Sequence, residues 1–253
     1  MVALITGASS GIGRDMAIEL SNQGYDLILV ARRKKKLEEL KKQLNTKVEI
    51  VATDLSSTFN CMKLYHKYEK HPIDVLINNA GFGVFGEFSD INLDRELDLI
   101  DTNIKALHVL TKLFLNDFKE RDEGYILNVA SSAAFFPGPL MASYYASKAY
   151  VLHLSEAIYE ELKQEGSNVS ISVLCPGPVD TEFNDVANVK FSLKGLKSDD
   201  VARYALKKMF QKKLVIVPGT TMKCVSLFHR FLPRKLLLHA TYGIQKKKEG
   251  SYE

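Results

Sequence analysis

Seven short runs rich in Val, Ile and Leu recur along this chain, and a longer helical pattern separates almost every pair of them. The runs are Val2–Ile5, Asp26–Ala31, Lys47–Ala52, Val75–Asn78, Tyr125–Ala130, Val169–Cys175 and Leu214–Val217. Each is apolar nearly throughout, as a strand covered on both faces must be, rather than alternating like a strand with one wet face. Helical patterns fill the intervals near Gly11–Gln23, Lys34–Asn45, Thr58–Lys70, Leu93–Lys119, Ser143–Gln164 and Asp199–Gln211. Strand and helix in strict alternation predict an α/β fold built of right-handed βαβ units: one doubly wound domain, a seven-stranded parallel sheet with helices on both faces. No linker, repeat or low-complexity segment divides it. The expected domain covers residues 1–218, and 219–253 form a helical extension that breaks the alternation.

Ligands of such sheets bind beyond the carboxyl ends of the strands. There the first run ends in Thr6-Gly7-Ala8-Ser9-Ser10-Gly11-Ile12-Gly13 and leads into a helix. Glycines at a strand-to-helix turn permit a tight turn and close approach of backbone to a pyrophosphate, and the helix N-terminus offers N–H groups and a positive dipole end. This predicts a Rossmann-type dinucleotide site with Gly7, Ser9, Ser10, Gly11, Ile12 and Gly13 as its phosphate-binding loop. An NAD site places an acid about 20 residues further on, for the ribose 2′-hydroxyl. That position is Ala31, followed by Arg32 and Arg33, with Arg14 beside the loop. Guanidinium groups form bidentate, charge-assisted bonds to phosphate, and cations at a helix start oppose its dipole. Arg32, with Arg33 beside it, and Arg14 are therefore candidates for a 2′-phosphate, and NADP(H) is the expected cofactor. Asp54-Leu55 after the third strand and Asn79-Ala80-Gly81 after the fourth are candidates for the adenosine, though each could also be a cap or a turn.

Tyr144 and Lys148 lie four residues apart, hence on one face of the predicted helix. An ammonium beside a phenol favours phenolate and is expected to pull the Tyr144 pKa down toward neutrality, where a general acid/base works best.

With these motifs in place, the chain resembles the short-chain dehydrogenase/reductase family. Thr6–Gly13, Asp54-Leu55, Asn78–Gly81, Asn103, Ser131, Tyr144-x-x-x-Lys148 and Pro176-Gly177-Pro178-Val179-Asp180-Thr181 occur in family order and cover residues 1 to about 220. The resemblance implies four catalytic residues: Tyr144 as acid/base, Ser131 orienting the substrate oxygen, Lys148 lowering the Tyr pKa and holding the nicotinamide ribose, and Asn103 in a proton relay. It places Tyr144, Lys148, Pro176, Gly177, Val179 and Thr181 against the cofactor, and a substrate lid near residues 182–198. It also implies a homodimer or homotetramer. Apolar residues expected near the substrate, Phe85, Phe135 and Phe136 among them, suggest a small apolar carbonyl or alcohol. The competing reading is a catalytically silent dinucleotide sensor or scaffold of the same fold; the intact Ser131, Tyr144 and Lys148 argue against it.

Charge and cysteine content narrow the setting. A net charge of +4, spread among helices with acids between them, lacks the concentrated stripe of a nucleic-acid binder. Three isolated Cys suit a reducing cytoplasm and no metal site. The charge-free start at Met1 argues against a signal peptide. In the tail, Met222, Val225, Phe228, Phe231 and Leu232 fall at helical spacing among His229, Arg230, Arg234 and Lys235. Such a basic amphipathic segment could contact a membrane surface. The expectation is instead that its apolar face docks on the domain, the cleft or a partner subunit, and that the chain frays from Lys246 onward.

Overall fold

The computed structural model describes residues 1–183 and 195–246. Its sheet contains the seven predicted strands, each within one residue of its expected ends: β1 (Val2–Thr6), β2 (Asp26–Ala31), β3 (Val48–Ala52), β4 (Val75–Asn78), β5 (Tyr125–Val129), β6 (Ser170–Leu174) and, at the far edge, Val215–Ile216. All neighbours run parallel. A separate two-stranded pair, β7 (Val179–Asp180) with β8 (Leu196–Lys197), was not anticipated, and it makes the far-edge strand β9.

The helices are α1 (Gly11–Asn22), α2 (Lys34–Lys41), α3 (Thr58–Tyr68), α4 (Leu93–Ile100), α5 (Leu107–Arg121), α6 (Ala142–Gln164), α7 (Ser198–Phe210), α8 (Thr220–Phe228) and α9 (Arg234–Lys246). Successive strand side chains face opposite sides of the sheet, so β1 feeds two cores. Ala3 and Ile5 pack with Met16 and Leu20 of α1 and Leu206 of α7. Leu4 packs on the other side with Leu64 of α3 and Phe114 and Phe118 of α5. Each Leu, Ile or Phe so buried contributes about 1.5–3 kcal/mol, and this two-sided burial is why the strands read as continuous apolar runs.

The strand order is β3-β2-β1-β4-β5-β6-β9. The chain builds outward from β1 to β3, then returns to lay β4 on the other side of β1. Connections leaving β1 and β4 therefore diverge, and a crevice opens at their carboxyl ends.

One predicted helix is divided. Leu93–Lys119 is not a single α-helix: a π-helical turn, Asp101–Ala106, separates α4 from α5. A π-turn accommodates an extra residue and rotates the side chains after it. Here it carries Asn103 into the interior.

Candidate active site

The turns after β1 and β4 are clamped to each other. The Thr6 hydroxyl accepts from the backbone N–H groups of Asn79 (2.9 Å) and Ala80 (3.0 Å), while Asn79 Nδ2 donates to the carbonyls of Thr6 and Gly7. The packing leaves no room for side chains. Gly7 holds a left-handed φ of 66°, and a Cβ there would stand 2.8 Å from the Ala80 Cα. At Gly13 a Cβ would stand 2.3 Å from Asn79 Nδ2. Ser10, the N-cap of α1, makes no side-chain bond to the first turn, which contains no acid. The helix start therefore offers its N–H groups and dipole to an external anion.

The cations beside this loop take different partners. Arg32 turns to Asp54, 3.9 Å away, and Arg14 pairs with Asp15 at 2.7 Å. The guanidinium over the loop belongs to Arg33, whose Nη2 donates to Ser9 Oγ (2.9 Å) and Ser10 Oγ (2.8 Å). Its Nη1 meets the Glu182 carboxylate at 2.6 Å, and Lys36 bonds the same carboxylate. Held first by Lys36 and then by Arg33, Glu182 has its pKa pulled down to about 2.

Beyond the crevice, α6 presents Tyr144 and Lys148 on one buried face. The Lys148 Nζ stands 5.8 Å from the Tyr144 ring centre and donates to the Val129 carbonyl at 2.9 Å. The expected lowering of the Tyr144 pKa is not found in this state. Burial raises the phenol above its ordinary value, with hydrogen bonding from Ser131 working the other way. Burial also pushes Lys148 down to about 8. Desolvation disfavours both charged forms and is the largest cause of each shift. Ser131 caps a 3₁₀ turn (Ser132–Phe135) through a bond from the Ala133 N–H.

Asn103 braces the wall beside Lys148. Its Oδ1 accepts from the Phe82 N–H (3.0 Å), and its Nδ2 donates to the Phe82 carbonyl (2.9 Å) and to Ser147 Oγ (3.1 Å). Gly81 lies between Asn103 and Lys148, so close that a Cβ would be 3.4 Å from the Lys148 Nζ. Asn103→Ala leaves both backbone groups of Phe82 buried without partners. At about 1–3 kcal/mol per group, it should destabilise the fold by about 2–6 kcal/mol, measured by urea unfolding.

A family model for short chain dehydrogenases matches residues 1–190. The chain belongs to the short-chain dehydrogenase family. It is 33% identical over 227 residues to an uncharacterized oxidoreductase of Staphylococcus epidermidis, covering 88% of this chain and 97% of that one. The structure of a short-chain dehydrogenase from Sphingobium yanoikuyae in complex with NADPH superposes with a TM-score of 0.82 at 30% identity, covering 91% of this chain and 93% of that one. A short chain dehydrogenase/reductase from Burkholderia phymatum in complex with NAD also gives 0.82, at 24% identity over 91% and 92% of the two chains, and shares the fold.

The remaining positions of this short-chain dehydrogenase divide. Thr181 faces the glycine loop, its Cγ2 within 3.0 Å of where a Gly11 Cβ would stand. The Pro176 carbonyl accepts from Ser132, Gly177 packs under Met222, and Val179 lies in β7. Ile12 and Leu55 pack into the cores. Of the three apolar candidates, Phe85 packs in the Tyr144 cluster with Phe82, Leu99 and Met141. Phe135 instead joins a separate cluster with Val151 and Met222, and Phe136 lies near Tyr145 and His229. The predicted lid, 182–198, falls mostly outside the described residues. Its described ends hold Glu182, Phe183 (ring centre 5.4 Å from Tyr144), β8 and the start of α7. Sequence reasoning passed over Glu182 and Gln245. The latter reaches back from α9 to the Tyr145 hydroxyl, 100 residues away. No local pattern signals pairs that distant.

Proposed function

We propose that this short-chain dehydrogenase is an NADP(H)-dependent oxidoreductase that interconverts a small apolar carbonyl compound and its alcohol. The observation that carries the reading is a buried phenol and a buried ammonium on one face of α6, across the crevice from an uncapped helix start and a glycine cradle. The donor set suits a phosphorylated dinucleotide: N–H groups of α1 for the pyrophosphate, and Arg33 with Lys36 for a 2′-phosphate. Bound there, the nicotinamide group supplies or removes the hydride.

The chain's own residues do the rest. Tyr144, kept protonated by burial, donates its proton to the carbonyl oxygen during reduction. Ser131 orients that oxygen and stabilises the charge that develops on it. Lys148, charged below about pH 8, supports the phenolate left behind. Asn103 holds the Phe82 turn, Ser147 and the wall beside Lys148, consistent with a place in the proton relay. Phe82, Phe85, Met141 and Phe183 around Tyr144 give the substrate side its apolar character. Residues 1–218 form the catalytic domain in this reading, working in the cytoplasm as a homodimer or homotetramer, with 219–253 as a helical extension packed on that domain.

The test is loss of NADPH absorbance with a panel of aldehydes and aryl or alkyl ketones. Turnover of at least one apolar ketone is the expected result. Tight NADPH binding with no turnover across the panel would leave the silent-sensor reading standing instead.

A further inference from the structure

The described part of the extension, residues 219–246, leaves most of its large apolar residues exposed. No residue of α8 is buried, and the inward positions of α9 are the polar Thr241 and Gln245. Leu227, Phe228, Phe231, Leu232, Leu236 and Ile244 face outward, Phe231 at 81% exposure. The rings of Phe228 and Phe231 stand 6.5 Å apart, so the exposed apolar surface is continuous across the α8 end. Among the described residues, Met222 packs with the Phe135 cluster and His229 stands beside Phe135 and Phe136, so this part of the extension meets the domain.

The stretch of chain that carries this face has charge of one sign. From Val201 to Lys246 the chain carries ten Lys and Arg and no Asp or Glu; all 30 acids lie elsewhere. Lys223, Arg234, Lys235 and Lys246 are exposed on α8 and α9. A cleft of about 570 Å³ brings Lys208, Lys213 and Lys223 up to Leu227, with Glu156 of α6 also in its lining. Among the described residues no helix is long and apolar enough to cross a membrane.

We propose that the α8–α9 face docks peripherally on an anionic lipid bilayer, inserting the Phe228–Phe231 edge among the headgroups with the flanking cations over lipid phosphates. Exposed aromatic and Leu side chains beside Lys and Arg suit the bilayer interface, and anionic leaflets attract basic segments. A second copy of the chain suits this face less well. A twofold dimer sets a patch against itself, bringing an acid-free cationic stretch against its own image. The inference does not depend on the redox reading.

The test is sedimentation of the full-length protein with vesicles of phosphatidylcholine, alone or with about one third phosphatidylglycerol. Binding to the anionic vesicles is expected, with little to the neutral ones and release by high salt. Arg234→Gln with Lys235→Gln should lower partitioning about 30-fold, since each cation near such a surface contributes roughly fivefold. Phe228→Ser with Phe231→Ser should abolish binding and leave the circular dichroism spectrum and NADPH affinity unchanged. Equal binding to both vesicle types, or none to the anionic ones, overturns the proposal. So does a wild-type dimer in analytical ultracentrifugation that the Phe variant turns into monomer, because the face is then a self-interface.

Discussion

Tyr144→Phe is expected to slow ketone reduction about a thousandfold, the middle to upper part of the range for losing a positioned general acid, with NADPH affinity held within about threefold. The substitution removes one oxygen from a side chain whose ring is already packed against Phe82, Leu99 and Met141. The fold therefore keeps its contacts while the transferable proton is lost. Stopped-flow single turnover separates the chemical step from binding, and fluorescence titration reports the cofactor. The pH dependence carries a second part of the same prediction. Burial holds the phenol protonated through neutral pH, so the reductive direction starts in its reactive form. Lys148 bears its positive charge below about pH 8 and loses it above. Reduction should therefore be level between about pH 6 and 7.5 and decline as pH rises through about 8, because the emerging phenolate loses its counter-charge. A reductive rate that climbs across that interval, or a Tyr144→Phe variant of near wild-type speed, would remove Tyr144 as the acid.

The two surprises at this site share a cause. Sequence spacing correctly set Tyr144 and Lys148 on one helical face, because four residues along a helix is a local distance. It could not report that the face is buried, and burial reverses the sign of the Tyr144 shift. In the same way the seven strands were legible because two-sided burial writes itself as an unbroken apolar run. The π-turn at Asp101–Ala106 was not, because its cause lies 21 residues away, in the backbone of Phe82 that Asn103 satisfies. The direction of the extension's apolar face was illegible for a related reason. Apolar periodicity says that a helix has an apolar face, not which way that face points. Here Thr241 and Gln245 point in and Leu236 and Ile244 point out.

Cofactor choice should turn on Arg33 rather than on its neighbour. Arg33→Ala is expected to weaken NADPH binding about 10- to 100-fold, as befits the loss of charge-assisted bonds of about 1.5–3 kcal/mol, while NADH affinity changes by less than about threefold. Arg32→Ala should shift neither by more than about threefold, on the scale of an exposed ion pair, because that guanidinium is turned toward Asp54. The contrast rests on geometry. Arg33 is fixed over the loop by Ser9 and Ser10, and its planar fork is set in place before any ligand arrives, so little side-chain entropy remains to be lost. The anion it now holds is Glu182, shared with Lys36. A 2′-phosphate that takes these cations must displace that carboxylate. Glu182→Gln should accordingly tighten NADPH binding several-fold and leave NADH untouched, the opposite sign from Arg33→Ala at the same site. Fluorescence titration of both nucleotides against the three variants measures all of this without turnover. Parallel losses for NADPH and NADH in Arg33→Ala would mean that the guanidinium serves the pyrophosphate loop and not the 2′-phosphate. A strong NADPH-selective loss in Arg32→Ala would mean that the two arginines exchange places when the phosphate binds.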